Sequence, residues 1–556
     1  MKSIIKSFSE HGTFIQPDTL EYIMAKENPR DFTIFIAKNL REYPLVLTID
    51  QIKKIEESAK IETLPELTKK DMQEKNLQNK VLSTMYGPGL EQNPAPDDLE
   101  LDINEIETTG ELATFGKNEE NSSLPAFEPT KIKNWTPMSK EYDSEIEIMK
   151  DVTGNSTCEG TTSDFTKLFR NRYGILRKIL QHQRRELANA LPIKRIGKND
   201  IKEVQIIGIV KDVRTTVNGH RLIELEDETG IATCIALKSN RGLMVPANEV
   251  LYDEIIGVIG QISKNGDLVV IQNIVFPDIS MQNGRHKSEI PICAAFLSDI
   301  HIGSNQFMMP EWTAFLRWIN GEMGNSRQRT AAGKIKYLVL PGDMVDGIGI
   351  YPGQEKELSI PDVYRQYEFL AEQLDAIPDH ISIVMQPGNH DAVRPAEPQP
   401  AFEKEIQDLF SGKDITFVGN PCYFSLNGVE ILSYHGQSLL DFSTNIQQLK
   451  YNEPVEVMKT MLKKHHLAPA YGGYTPLAPE HLDYMLIDKI PDIFVTGHVH
   501  LATIGEYRGV TLINASSWQA QTSYQKMLNF VPDPAKLPIV DLKTGSVTMM
   551  DFNQKF

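Results

Sequence analysis

Five short stretches of this sequence place metal-binding residue types directly after apolar runs. PICAAFLSDIHIGS carries Asp299 and His301, and KYLVLPGD carries Asp343. ISIVMQPGNHD carries Asn389, His390 and Asp391, VEILSYHG carries His435, and IFVTGHVH carries His498 and His500. Carboxylate, imidazole and amide-oxygen donors suit hard-to-borderline divalent cations. A single histidine at a strand end is most often a satisfied structural residue, and GD or GNHD alone reads as a turn. Five such ends in one region are hard to explain as turns. In α/β sheets the ligand site lies outside the carboxyl ends of the strands, so these donors are predicted to converge. Side chains alternate with period two along an extended segment, so Asp-x-His and His-x-His are expected to aim both donors to one side. A carboxylate can bridge two cations and an imidazole cannot. A central Asp343 flanked by histidines therefore predicts a two-metal site with ions roughly 3.5–4 Å apart. Such a pair lowers the pKa of bound water and holds the charge that develops on a phosphoryl group. Ser304, Asn305, Asp346 and Arg394 follow these stretches and are candidate substrate or supporting groups, Arg394 as a bidentate phosphate ligand. Tyr351, Tyr471 and Tyr474 are candidates for stacking on bases.

The elements that must position these residues are legible as strands alternating with helices. Helical periodicity in PEWTAFLRWIN, PDVYRQYEFLAEQL, FEKEIQDLF and EVMKTMLKKHH separates most of the apolar strands. The end of the chain is strand-rich (GVTLINASS, LPIVDL, SVTMMDF). This predicts an α/β, or α+β layered, domain over 286–556 with mixed sheets. Residues 201–285 read as five short strands with Asn-Gly turns and predict an OB-type barrel. Its strands offer few aromatics for base stacking, Tyr252 and Phe276 being the candidates, which favours protein docking over single-strand binding.

Residues 161–200 predict a helix with Phe165, Leu168, Phe169, Leu176, Ile179 and Leu180 on one side and basic residues, Arg172 among them, opposite. That basic face is either solvated or a seat for a nucleic-acid backbone. Residues 76–160, with YGPGLEQNPAPDDLELD and KNEENSSLPAFEPTK, read as a disordered acidic linker. Residues 1–75 read as a small helical partner-docking domain built from LEYIMAK, FTIFIAKNLREY and IDQIKKIEESAK.

The chain has 556 residues and a net charge of −18, which taken alone speaks against nucleic acid as a partner. The charge is uneven, however. Residues 91–120 hold ten acids and one lysine, whereas 165–200 are basic. The four cysteines form no CxxC, which argues against a zinc knuckle and against a disulfide framework. No run of 18 apolar residues is present and the first residues lack a secretory h-region, so no membrane contact and a cytoplasmic location are expected.

The series DxH, GD, GNHD, H and GHxH resembles the calcineurin-like metallophosphoesterases. The resemblance covers about 290–505 and implies a role for each donor. Asp299, His301 and His500 would hold one metal, Asn389, His435 and His498 the other, and Asp343 would bridge. His390 would protonate the leaving oxygen or steady the transition state, and Asp391 would orient His390 through a hydrogen bond. Two divalent ions are implied, Mn²⁺ first and Mg²⁺ as the alternative.

A barrel followed by such a domain is the arrangement of DNA polymerase B-type subunits. GDMVDGIGIYPGQE, HHLAPAYGGYTPLAPE, DIFVTGHVH and YQKMLNFVPDPAKLPIVDL resemble the small subunits of archaeal family-D DNA polymerase. That resemblance implies a 3′–5′ exonuclease acting on single-stranded or mismatched DNA 3′ ends. It would proofread for a separate large catalytic subunit during DNA replication. A sliding clamp is a further expected partner, although no clamp-binding box is evident. The competing readings are an inactive scaffold, a stand-alone phosphatase or cyclic-nucleotide phosphodiesterase, and a break-repair nuclease.

Overall fold

The computed structural model describes residues 135–196, 202–263, 266, 268–280 and 284–554, with 14–15, 17–24, 26, 29–39, 46–47 and 52 near the start. The chain divides into two units, 1–118 and 119–556. In the first, β1 (Phe14–Ile15) pairs in parallel with β2 (Val46–Leu47), alongside helices α1 (Pro17–Met24) and α2 (Pro29–Asn39). The helix expected at IDQIKKIEESAK lies outside the described residues apart from Ile52. The part of the expected linker between 76 and 134 also lies outside them.

The larger unit is mixed α/β, with two six-stranded sheets and a small closed barrel. The barrel is formed by β4 (Glu203–Thr215), β5 (Arg221–Asp227), β6 (Gly230–Ala236), β7 (Ile255–Ile262) and β8 (Val269–Val275) in the order β4-β5-β6-β8-β7. Alternate residues of β4 and β5, such as Val204, Ile206, Ile223 and Leu225, fill its interior. A helix not anticipated from the residue pattern, α3 (Arg241–Asn248), covers one end and contributes Leu243 and Ala247 to the same core.

The first sheet runs β12-β11-β10-β9-β18-β19, from β9 (Cys293–Phe296), β10 (Ile335–Pro341), β11 (Ser382–Gln386), β12 (Ile415–Phe417), β18 (Lys536–Asp541) and β19 (Val547–Asp551). The second runs β16-β17-β15-β14-β13-β3. It comprises β3 (Ile146–Lys150), β13 (Cys422–Leu426), β14 (Val429–Ser433), β15 (Ile493–Thr496), β16 (Thr503–Tyr507) and β17 (Val510–Asn514). Period-two alternation splits each strand between two cores. Ala294, Phe296, Tyr337, Val339 and Val384 meet Phe424, Ile431, Val495 and Ile513 between the sheets. The intervening Leu338, Leu340, Ile383 and Met385 face the helices Met309–Ile319 and Val363–Asp375. On the far side Leu432, Phe494 and Leu512 face the helix Pro454–Lys464. The result is four layers, helix-sheet-sheet-helix. Continuous apolar runs are what such doubly covered strands require.

Two expectations change here. The linker boundary at 160 is too late. β3 pairs antiparallel with β13, and Ser156, Thr157 and Cys158 donate to the Glu480 carboxylate. IEIMK is an edge strand whose three central residues are exposed, so no buried alternation marks it within an acidic stretch. The basic helix Thr162–Gln183 buries Leu168, Leu176 and Leu180 as expected. Arg172 is not on its solvated face. It is buried, its Nε 2.7 Å from Asp483 Oδ2, and it donates to the carbonyls of Asp253 and Pro469. It thereby joins the barrel to the layered domain. Among the described residues no helix is long and apolar enough to cross a membrane.

Candidate metal centre

The parallel strands β9, β10, β11, β14 and β15 all deliver their carboxyl ends to one place. Three overlapping groups of donors result: Asp299, His301 and His500; His301, Asp343 and His390; and Asp343, His435 and His498. Asp343 stands between two of them. Its Oδ2 lies 3.3 Å from His435 Nε2 and 3.8 Å from His301 Nε2. His500 Nε2 lies 3.3 Å from Asp299 Oδ1 and 3.1 Å from His301 Nε2. Asn389 Oδ1 lies 3.0 Å from His435 Nε2.

The local backbone differs from the extended form expected of Asp-x-His and His-x-His. Asp299, His301, Asp343, His498 and His500 all adopt left-handed φ, between 52° and 67°. A non-glycine residue held there costs on the order of 1–3 kcal/mol and persists only where its surroundings fix it. The surroundings do so. Asp299 N donates to Gly342 O, Ile300 N and His301 N to Asp343 O, and Trp518 N to Asp299 O. His498 N donates to Asp299 Oδ2. The turns send His498 toward His435 and Asp343, and His500 toward His301 and Asp299. Period-two spacing is thus not what brings these pairs together. Gly342 and Gly388 are required by close approach, because a Cβ at either would strike His435 or Asp343.

Burial and mutual charge govern the protonation of these groups. Burial raises the Asp343 carboxyl, but the facing histidines, His435 first, override it and hold it well below the usual range. Burial lowers His435, yet the Asp343 carboxylate carries it up to about 10. His498 is pushed down to about 3, by burial and then by His435. Asp299 Oδ1 is buried, and although His500 Nε2 stands 3.3 Å and His301 Nε2 3.8 Å from it, neither is placed to hydrogen-bond it. An orphaned carboxylate oxygen among imidazole nitrogens is costly unless a cation meets it. The donor set therefore fits divalent metal.

The supporting groups are more numerous than the motifs foretold. His301 Nδ1 lies 3.0 Å from Asp346 Oδ1, and His435 Nδ1 lies 3.0 Å from Pro341 O. Each contact directs Nε2 inward, as metal-binding histidines require. Asp346 in turn accepts from Gln354 and Gln519, and Gln525 Nε2 lies 3.1 Å from His500 Nδ1. Gln354 and Gln525 fall within stretches that carry the family resemblance, GDMVDGIGIYPGQE and YQKMLNFVPDPAKLPIVDL, but nothing in their residue type marks them as supporting groups, and Gln519 lies outside any such stretch.

His390 Nδ1 bonds the Asp346 carbonyl at 2.8 Å, and its ring stands edge-on to His301. Asp391 does not orient it. That carboxylate accepts instead from Met344 N, Gly388 N and the Tyr367 hydroxyl, clamping the loops that carry Asp343 and Asn389. Burial, and then the charge of Asp343, push Asp391 up to about 7.

Of the expected substrate groups, Ser304 is buried beside the centre and accepts from Gln519. Asn305 is spent on the loop that follows Asp343, its Nδ2 donating to Lys356 O and its backbone N to Glu357 O. Arg394 is engaged by Ala396 O, Pro398 O, Ser156 Oγ and Glu480, so its fork is not presented to a phosphate. Tyr351 donates to Glu357, and Tyr471 packs edge-on against Phe165.

Comparison with known proteins agrees with this geometry in extent. Residues 294–504 match the family model for the B-subunit of DNA polymerase alpha/epsilon. The chain is 46% identical to the DNA polymerase II small subunit of Archaeoglobus fulgidus over 71% of its own length and 78% of that protein's. It is 42% identical to the Methanocaldococcus jannaschii small subunit, over 73% and 68% of the two chains. It is 41% identical to that of Methanothermobacter thermautotrophicus, over 76% and 87%.

Proposed function

Since the chain belongs to the archaeal DNA polymerase II (family-D) small-subunit family, a family that serves DNA replication, we propose that it is a two-metal 3′–5′ exonuclease that proofreads for a large catalytic subunit. Its substrate is the single-stranded or mismatched 3′ end of DNA, which costs less to unpair than a matched one. In this reading the layered domain is a calcineurin-like metallophosphoesterase and the barrel is an OB fold used for docking. The large subunit docks on the barrel and the C-terminal strands, with a sliding clamp as a further partner.

The observation that carries the proposal is the position of Asp343, shared by two donor groups, together with the orphaned Asp299 Oδ1. Asp299, His301 and His500 are assigned to one cation and Asn389, His435 and His498 to the other, with Asp343 common to both. When bound, two such ions, Mn²⁺ or Mg²⁺, acidify water and neutralise charge on the scissile phosphate. The rest is done by the chain. The Asp346 carbonyl takes the Nδ1 hydrogen of His390, so when the ring is an imidazolium its second hydrogen is on Nε2, and that proton passes to the leaving 3′ oxygen and leaves the ring neutral. Asp346, Pro341 and Gln525 hold the histidine rings, and Asp391 holds the loops. Every donor position is filled, which favours an active enzyme over a scaffold.

The test is digestion of a 5′-labelled single strand with Mn²⁺, wild type beside His390→Ala. A ladder shortening from the 3′ end that falls by about 10²–10⁴ in rate in the variant is the expected result. Digestion equal in both would refute the assignment.

A further inference from the structure

The segment Ala520–Pro532 is rooted at both ends on the centre. Trp518 N donates to Asp299 O, Gln519 reaches Ser304 and Asp346, and Asp533 N donates to His500 O. Midway, Gln525 touches His500 Nδ1. Its short helix Ser523–Met527 and the turn after it nevertheless leave apolar side chains outward: Tyr524, Met527, Leu528 and Val531 are each more than half exposed. Beneath lies Phe530 against Tyr451, ring centroids 5.9 Å apart. The Tyr451 hydroxyl is near enough to feel Asp299, Tyr524 and Asp343. An aromatic and apolar crest therefore borders the donors, one residue from a contact to one of them.

We infer that this crest, with Tyr524 at its centre, is the seat of the unpaired terminal nucleobase, which stacks there while its phosphate enters the centre. The inference rests on the exonuclease reading and adds the base-binding element to it. Aromatic rings hold bases without regard to sequence, as a nuclease trimming any mismatch needs. A paired base is already stacked in its duplex and gains little there. The attachment to His500 keeps the seat in fixed relation to the donors. A protein partner would also fit an apolar crest. The anchoring of both roots on the donors favours the substrate.

The test is a binding cycle with the full chain in Ca²⁺, using a single-stranded oligonucleotide with a normal or an abasic 3′ terminus. Tyr524→Ala is expected to weaken binding of the normal end roughly tenfold, with Tyr524→Phe restoring it. The abasic end is expected to bind both proteins alike, so that the two losses do not add. Equal losses on both ends would overturn the proposal. So would an unaltered affinity for DNA with a lost affinity for the large subunit, which would place a protein partner on the crest. The exonuclease reading fails separately, if wild type in Mn²⁺ digests neither strand.

Discussion

The Tyr367 hydroxyl donates to Asp391 Oδ1 across 2.9 Å in the buried heart of the layered domain. The same carboxylate accepts from Met344 N and Gly388 N, each next to a candidate ligand. Asp391 is thus a positioning residue for two loops. Removing the tyrosine hydroxyl leaves a buried acceptor short of one donor, which costs about 1–3 kcal/mol. Tyr367→Phe is expected to lower the stability measured in urea by that amount. Asp391→Ala is expected to weaken Mn²⁺ binding by about 10–100-fold, as losses of ligand-supporting groups do. Equilibrium unfolding and metal titration check the two.

Arg172, Asp483 and His466 form a second buried cluster, where Asp483 Oδ2 meets both Arg172 Nε and His466 Nε2. Ala468 N donates to His466 Nδ1, so the neutral ring carries its hydrogen on Nε2. Arg172→Ala leaves the Asp483 charge buried and uncompensated, and a loss of about 3–5 kcal/mol is expected in urea unfolding.

The same cluster sets a pH dependence. Burial, and then Arg172, lower His466 to about 4 from an ordinary 6.5. The unfolded chain therefore takes up this proton first as pH falls. The stabilisation is complete above about 6.5 and is lost toward 4, amounting to roughly 3 kcal/mol. Asp483, held below the usual range against the cost of its burial, adds a further loss below its unfolded value of 3.8. Urea midpoints at pH 7.5 and 4.5 are expected to differ, and His466→Gln is expected to narrow the difference.

The edge strand gives a simple truncation test. A chain beginning at Trp135 keeps β3 and the contacts of Ser156 and Thr157 to Glu480, whereas one beginning at Thr161 uncovers the edge of β13. The shorter chain is expected to aggregate or melt lower, and the longer one to unfold as the full layered domain does. Size-exclusion chromatography and thermal melts distinguish them.

What could be read beforehand follows from where information sits in the chain. The donors are in short motifs behind apolar strands, so Asp299, His301, Asp343, Asn389, His435, His498 and His500 were all legible. The strands were legible too, because both faces of β9, β10 and β11 are covered and the runs are continuous. Left-handed turns at five donors were not, since only tertiary hydrogen bonds fix them. Gln519 stands 173 positions from Asp346, and Arg172 reads as a surface cation and Arg394 as a phosphate ligand because their carboxylate partners, Asp483 and Glu480, lie far along the chain. Sequence separation hides such pairs: Arg172 and Asp483 stand 311 positions apart.

The central claim is that Asp343 is common to two cations, and calorimetric titration with Mn²⁺ tests it most directly. Wild type is expected to bind two ions per chain. Asp343→Ala is expected to weaken both together, because each loses the same carboxylate. Two ions bound with unchanged affinity by the variant, or no uptake by wild type, would contradict the account.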